Sequence, residues 1–250
     1  EEKLLLPNKL LIFGGEALQT EIIEDIKQSN TKCKIVNHYG PTETTIGKLL
    51  HEVNFENNYS NTVPIGRPFS NTQTFVLSKS MELCPVGVPG ELFISGDGIA
   101  RGYLNNPELT KSKFIKNPFV KNISDNGKDS LMYSTGDLVK YLPDGSIEFL
   151  GRADDQVKIR GYRIELGEIE NALQQSELVK QSVVLAREDK QGNKRLTGYI
   201  VTKENENFDK EKIVSYLKEK LPDYMVPSIF IEIEKVPLTA NGKIDRKSLP

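Results

Sequence analysis

The run Gly151-Arg152-Ala153-Asp154-Asp155-Gln156-Val157-Lys158-Ile159-Arg160-Gly161-Tyr162-Arg163-Ile164-Glu165-Leu166-Gly167-Glu168-Ile169-Glu170 decides how this chain divides. Val157 and Ile159 alternate with Lys158 and Arg160, the period of a half-buried strand. Gly161-Tyr162 can turn the chain, after which Ile164 and Leu166 resume the apolar rhythm. Glu168, Ile169, Glu170, Ala172 and Leu173 read as a helix whose acidic first turn suits the helix dipole. A Gly-Arg opening, two aspartates, a hairpin and a helix start suit a junction between two bodies. The same pattern also fits an ordinary hairpin joining two strands.

Working outward, 250 residues can hold one large domain or two smaller ones with a real core. The formal net charge of −2 offers no electrostatic case for nucleic acid or an anionic membrane. No apolar run approaches the ~20 residues of a membrane span. No signal-peptide pattern opens the chain, and residue 1 is Glu. Cys33 and Cys84 lie far apart without Cys or His companions at ligand spacing, which argues for a reducing, cytoplasmic setting and against zinc. Asn58-Tyr59-Ser60 and Asn122-Ile123-Ser124 fit the glycosylation pattern but read as polar loops.

Upstream of the junction, Leu10-Leu11-Ile12-Phe13 reads as a strand buried on both faces. Residues 16–27 read as a helix with Ala17, Ile22, Ile23 and Ile26 on one face, and Cys33 to Val36 as a second strand. Strand, helix, strand is a piece of parallel sheet, too small to stand alone, so the chain is expected to begin inside a domain. Residues 54–62 read as a loop. From Val63 to Leu150 short strands dominate: Thr74–Leu77, Glu91–Ile94, Leu138–Tyr141 and Ile147–Leu150, a β-rich and barrel-like body. Asn106 should cap a short helix with Pro107 at its first position. Beyond the junction, strands at Ser182–Ala186 and Leu196–Val201 precede an amphipathic helix with Ile213, Val214, Leu217 and Leu221 at helical spacing. A last strand spans residues 228–234. The expected fold class is therefore α/β and α+β. Residues 1–55 would be the end of a parallel-sheet α/β core, 56–153 a β-rich subdomain, and 154–250 a hinged C-terminal α+β subdomain.

Further runs carry a resemblance: Asn37-His38-Tyr39-Gly40-Pro41-Thr42-Glu43-Thr44-Thr45, Gly90 to Leu104, Tyr133-Ser134-Thr135-Gly136-Asp137-Leu138, Leu221-Pro222-Asp223-Tyr224-Met225-Val226-Pro227 and Asn241-Gly242-Lys243-Ile244-Asp245-Arg246. With the junction run, they follow the order of motifs in amino-acid adenylation domains of nonribosomal peptide synthetases. Those domains share a superfamily with acyl-CoA synthetases and luciferases. The chain resembles the second half of such a domain. The resemblance implies an enzyme that joins an amino acid to ATP: the substrate carboxylate attacks the α-phosphorus, pyrophosphate leaves, and the aminoacyl group passes to the phosphopantetheine thiol of a carrier domain. The protein's part is positioning and charge stabilisation.

By the same resemblance Tyr39 stacks on adenine, Thr42 contacts phosphate, and Glu43 is the Mg²⁺ ligand. Asp137 accepts from the ribose hydroxyls, and Arg152 lies near ribose and phosphates. Lys243 bridges substrate carboxylate and nucleotide, and Asp154 is the hinge. Read from the residues alone, residues 37–45 also fit a loop turning into a helix, with Thr42 or Glu43 as cap. Asp137 fits a turn-capping aspartate after a tight turn at Thr135-Gly136, Arg152 a surface ion pair, and Lys243 a solvated charge. Gly96-Asp97-Gly98 reads as a structural turn and not a dinucleotide loop.

Motif alignment places Ile12, Gly14, His38, Ile46, Gly47 and Lys243 in the amino-acid pocket. One polar, potentially cationic His38 amid Ile and Gly suits a short acidic side chain, so aspartate is the expected substrate and asparagine its rival. His38 also fits a plain strand-end cap. Other readings are an acyl-CoA or D-alanine–carrier ligase fragment, and an inactive carrier-docking remnant. The chain lacks the lysine-bearing phosphate loop that the family places upstream.

Overall fold

A computed structural model describes residues 6–29, 32–59, 62–120, 130–154, 156–189, 193–204, 206–239 and 244–250. The chain falls into two units, residues 1–154 and 155–250.

In the first unit, β1 (Leu10–Gly14) and β2 (Lys34–Tyr39) pair in parallel across α1 (Thr20–Gln28). Next, β3 (Leu49–Glu52) runs antiparallel to β2, and β4 (Arg67–Pro68) antiparallel to β3. The helix buries Ile23 and Ile26 against Leu18, Cys33, Ile35, Val53 and Val63. It covers one sheet face only. Leu10 and Ile12, on the other face, are 46% and 56% exposed. Within these residues β1 is the outermost strand of its sheet and packs on α1 alone. The helix starts at Thr20, later than its pattern suggested, and Ile22 points outward.

A second sheet is antiparallel throughout: β5 (Thr72–Leu77), β6 (Gly90–Gly96), β7 (Phe114–Lys116), β8 (Leu131–Tyr141) and β9 (Ile147–Arg152). Its order is β5-β6-β8-β7, with β9 also on β8. One apolar cluster of Tyr39, Leu49, Ile65, Val76, Leu92, Ile94, Val139 and Ile147 joins the two sheets. The α2 helix (Pro107–Lys113) begins as its sequence predicts, with the Asn106 side chain accepting from the Leu109 amide at 3.1 Å.

The second unit opens on the hairpin of β10 (Gln156–Ile159) and β11 (Tyr162–Glu165). Arg160 and Gly161 take φ values of 52° and 77°, the two left-handed residues that a tight hairpin turn matching strand twist needs. Leu166 starts α3 (Leu166–Gln174) and does not extend the strand. Then β12 (Val179–Glu188) and β13 (Lys194–Thr202) pair antiparallel. After α4 (Lys210–Lys220), whose cap Asp209 accepts from the Lys212 amide, β14 (Ile229–Glu232) joins β13 in parallel. The helices bury Ile169, Leu173, Ile213 and Leu217 on the sheet, each side chain worth ~1.5–3 kcal/mol.

Candidate active site

Four of the expected residues form one hydrogen-bonded cluster. Asn37, His38 and Tyr39 finish β2 and so lie in the sheet, not in a loop. Asn37 is buried and donates its side-chain amide to the carbonyls of Val63 and Pro64 at 3.2 and 3.0 Å. Tyr39 is buried and donates its hydroxyl to Asp137 Oδ2. Burial, and then the charge of Asp137, hold the Tyr39 hydroxyl well above its ordinary pKa, so it stays a donor.

Asp137 lies inside β8. The tight turn expected at Thr135-Gly136 is corrected to a bulge: Thr135, Gly136 and Asp137 together face Leu92 of β6. Gly136 supplies the φ of 71° that the bulge needs. A Cβ there would lie 2.7 Å from both Arg152 Nη2 and Asp154 Oδ2, so an added methyl would also push on that ion pair. Thr135 Oγ1 accepts from the Asp137 amide at 3.0 Å and fixes the carboxylate's backbone. Across the ladder Asp137 pairs with Arg152 at the end of β9. Arg152 Nη1 donates to Asp137 Oδ1 at 2.8 Å and to the Thr135 carbonyl at 3.0 Å. Its Nε and Nη2 grip Asp154 in a bidentate pair at 2.7 and 2.6 Å. Side-chain exposures of 11% for Arg152 and 3% for Asp137 set this pair apart from a solvated surface bridge.

Between β2 and β3 runs a strained loop. Gly40 passes so close to Ile46 that a Cβ would meet the Ile46 carbonyl oxygen at 1.6 Å. Residues Thr42–Thr44 make one 3₁₀ turn, followed by Thr45 and Ile46 at φ 66° and 62°. A β-branched residue in that region costs ~1–3 kcal/mol. Thr42 is exposed and Glu43 half-buried. Among the described residues no three His, Cys, Asp or Glu side chains gather as a metal cage. Glu43 supplies a single carboxylate with the exposed Thr42 hydroxyl adjacent in sequence. That donor set fits Mg²⁺, which takes one or two carboxylates and fills its shell with water and phosphate.

Of the expected pocket residues, Gly14, His38 and Gly47 come together. Gly14 pairs with His38 across β1 and β2. A Cβ on Gly47 would lie 2.0 Å from His38 Nε2, so the ring rests directly on that glycine's backbone. Phe69 is 6.0 Å from the His38 ring, a neighbour that sequence reading missed. Ile12 shares the Gly14 face of β1 and, like Ile46 at 65%, is open to solvent. Lys243 lies outside the described residues, as does Asp155 beside the expected hinge. The bidentate partnership of Asp154 with Arg152 was also not foreseen. Its signal was the two-residue spacing along an extended chain, which puts both side chains on one face.

Residues 2–104 match the family model described as AMP-binding enzyme, and residues 168–243 the model for the AMP-binding enzyme C-terminal domain. The chain belongs to the AMP-binding enzymes, as part of a nonribosomal peptide synthetase adenylation domain. A linear gramicidin synthase of Brevibacillus parabrevis is 49% identical over 97% of the chain, which spans 3% of that protein. Bacitracin synthase 3 of Bacillus licheniformis is 46% identical over 97% of the chain and 4% of its own length. The fold matches holo-PA1221, an NRPS protein containing adenylation and PCP domains, with a TM-score of 0.80 and 28% identity over 96% of this chain and 40% of that one. It matches the Vibrio cholerae adenylation domain AlmE, in complex with glycyl-adenosine-5'-phosphate, with a TM-score of 0.80 and 29% identity over 94% of this chain and 43% of that one. The adenylation-domain chain therefore spans a small fraction of its curated relatives and under half of these solved chains. The expected fold class, with its curled β-rich sheet, stands. No helix among the described residues is long and apolar enough to cross a membrane.

Proposed function

We propose that the Tyr39–Asp137–Arg152 cluster is the nucleotide half of an amino-acid-activating site. The protein carrying it would form an aminoacyl-AMP from ATP and then load a carrier thiol. The observation that carries this reading is the state of the Asp137 carboxylate. Each of its oxygens already accepts one bond, from Tyr39 and from Arg152. A carboxylate has about four lone-pair sites, so one per oxygen remains for two vicinal ribose hydroxyls. The carboxylate is aimed before the nucleotide arrives, so little ordering remains for binding to impose. Tyr39, tied by its hydroxyl, offers its ring as a fixed face for adenine. Arg152 brings a buried cation beside the ribose site and toward the phosphates. Mg²⁺, when bound, would neutralise phosphate charge; Glu43 would hold it, and Thr42 would donate to a phosphate oxygen. Lys243 would stabilise the charge that develops as the substrate carboxylate attacks, and Asp154 would be the hinge about which residues 155–250 reposition for thiol loading.

The substrate reading rests on His38. Its Nε2 lies 2.0 Å from where a Cβ on Gly47 would stand and its Nδ1 3.7 Å from that of Gly14, so glycine on both strands leaves room for this one polar ring. This favours a short side chain that accepts hydrogen bonds: aspartate first, asparagine second. The partner implied is a carrier domain bearing phosphopantetheine. The test is amino-acid-dependent ATP–pyrophosphate exchange by the whole adenylating polypeptide, comparing aspartate, asparagine and phenylalanine. Exchange led by aspartate supports the full reading. Exchange led by another amino acid keeps the activity and removes the His38 assignment. No exchange with any amino acid in a folded protein removes the activity.

A further inference from the structure

We infer that Tyr103 is a positioning residue, which aims the Glu43 carboxylate from a separate loop and so tunes how tightly the site holds a divalent cation with its nucleotide. The inference rests on the reading of Glu43 as the cation-facing group. The Tyr103 hydroxyl donates to Glu43 Oε1 at 2.7 Å and lies 3.3 Å from the Tyr133 hydroxyl. Tyr133 is fully buried and stands in β8, four residues before Asp137, so the strand that presents the ribose-facing carboxylate also braces the phenol that grips Glu43.

Tyr103 is itself held in place by its neighbours. Its ring meets Phe114 edge-on, with centroids 5.7 Å apart. Its backbone amide donates to Thr110 Oγ1 of α2 at 2.8 Å. Gly102 makes that bond feasible. Its φ is 139°, and a Cβ there would lie 2.4 Å from Thr110 Cγ2. The run Arg101-Gly102-Tyr103 thus has a physical purpose: the glycine lets the threonine in, and the threonine sets the tyrosine.

Three more bonds tie the same two loops. The Ala100 amide donates to the Glu43 carbonyl at 2.7 Å, Thr45 Oγ1 donates to the Gly98 carbonyl at 2.6 Å, and buried Lys48 donates to the Asp97 carbonyl. The strained 40–48 loop is therefore tied to residues 97–103 at Glu43, Thr45 and Lys48. A carboxylate with one oxygen anchored has fewer orientations to lose when a cation and triphosphate arrive.

The experiment uses the whole adenylating polypeptide with Mn²⁺ as probe. Its affinity in the presence of a non-hydrolysable ATP analogue is read by electron paramagnetic resonance, alongside thermal melting. Tyr103→Phe should weaken Mn²⁺ binding about tenfold, the loss of one charge-assisted hydrogen bond. The amino-acid KM should stay unchanged, and the cation needed for half-maximal pyrophosphate exchange should rise in parallel. Glu43→Gln should weaken Mn²⁺ more than Tyr103→Phe, and the double variant no further. If Glu43→Gln loses Mn²⁺ affinity while a folded Tyr103→Phe keeps it, the positioning role is overturned and the reading of Glu43 stands. If Glu43→Gln keeps Mn²⁺ affinity, the reading of Glu43 itself falls, and the inference with it.

Discussion

The two halves of the proposed site are built by different means. The nucleotide half is a polar network of buried side chains: Tyr39, Asp137 and Arg152, with Asp154 at its edge. The amino-acid half is shaped by backbone: Gly14 and Gly47 leave room for His38, and Ile12 and Ile46 stand open. The first gets its geometry from hydrogen bonds that fail if one member is lost. The second gets it from the absence of side chains, and should fail when an atom is added.

Removing a member should damage the nucleotide half most. Asp137→Ala strips the acceptor from the buried Tyr39 hydroxyl and takes one of two carboxylates from Arg152, which keeps Asp154 and the Thr135 carbonyl. A buried donor left unsatisfied costs ~1–3 kcal/mol. Denaturant unfolding followed on residues 1–154 should show this loss; a cost under ~1 kcal/mol would mean the network carries no stability. Charge reversal in the other half comes next. His38→Glu should cut aspartate-dependent exchange ~100-fold while leaving ATP binding intact, because like charges would face one another. An unaltered preference would remove His38 from the pocket. Adding a single methyl comes third. Gly47→Ala forces the imidazole aside, and the amino-acid KM should rise about tenfold with the ATP KM unchanged. A larger effect on ATP would show that the halves are not separable. Asp154→Asn should matter least for stability, ~1 kcal/mol or below, since its carboxylate is 38% exposed.

Much of this was legible in the sequence, for identifiable reasons. The hairpin at 156–165 showed in a strict two-residue alternation around Gly161, and α4 in the spacing of Ile213 and Leu217. Local periodicity and turn chemistry suffice for such elements. One failure was tertiary. The Thr135-Gly136-Asp137 bulge reads as a turn because a glycine at positive φ serves either purpose; only the partner strand, where Leu92 stands alone opposite three residues, decides it. Among site residues, Tyr39, Glu43 and Asp137 were named from their motifs, yet the bonds of Tyr39 to Asp137 and Tyr103 to Glu43 span 98 and 60 positions. No spacing rule reaches that far.

The most direct test of the account is the equilibrium binding of ATP to the whole polypeptide, by titration calorimetry, with Asp137 intact and with Asp137→Asn. The asparagine keeps the shape and removes the charge and half of the accepting capacity. The account predicts that a folded Asp137→Asn variant binds ATP at least tenfold more weakly. Equal affinity for ATP in the two proteins would contradict the assignment of this cluster to the nucleotide.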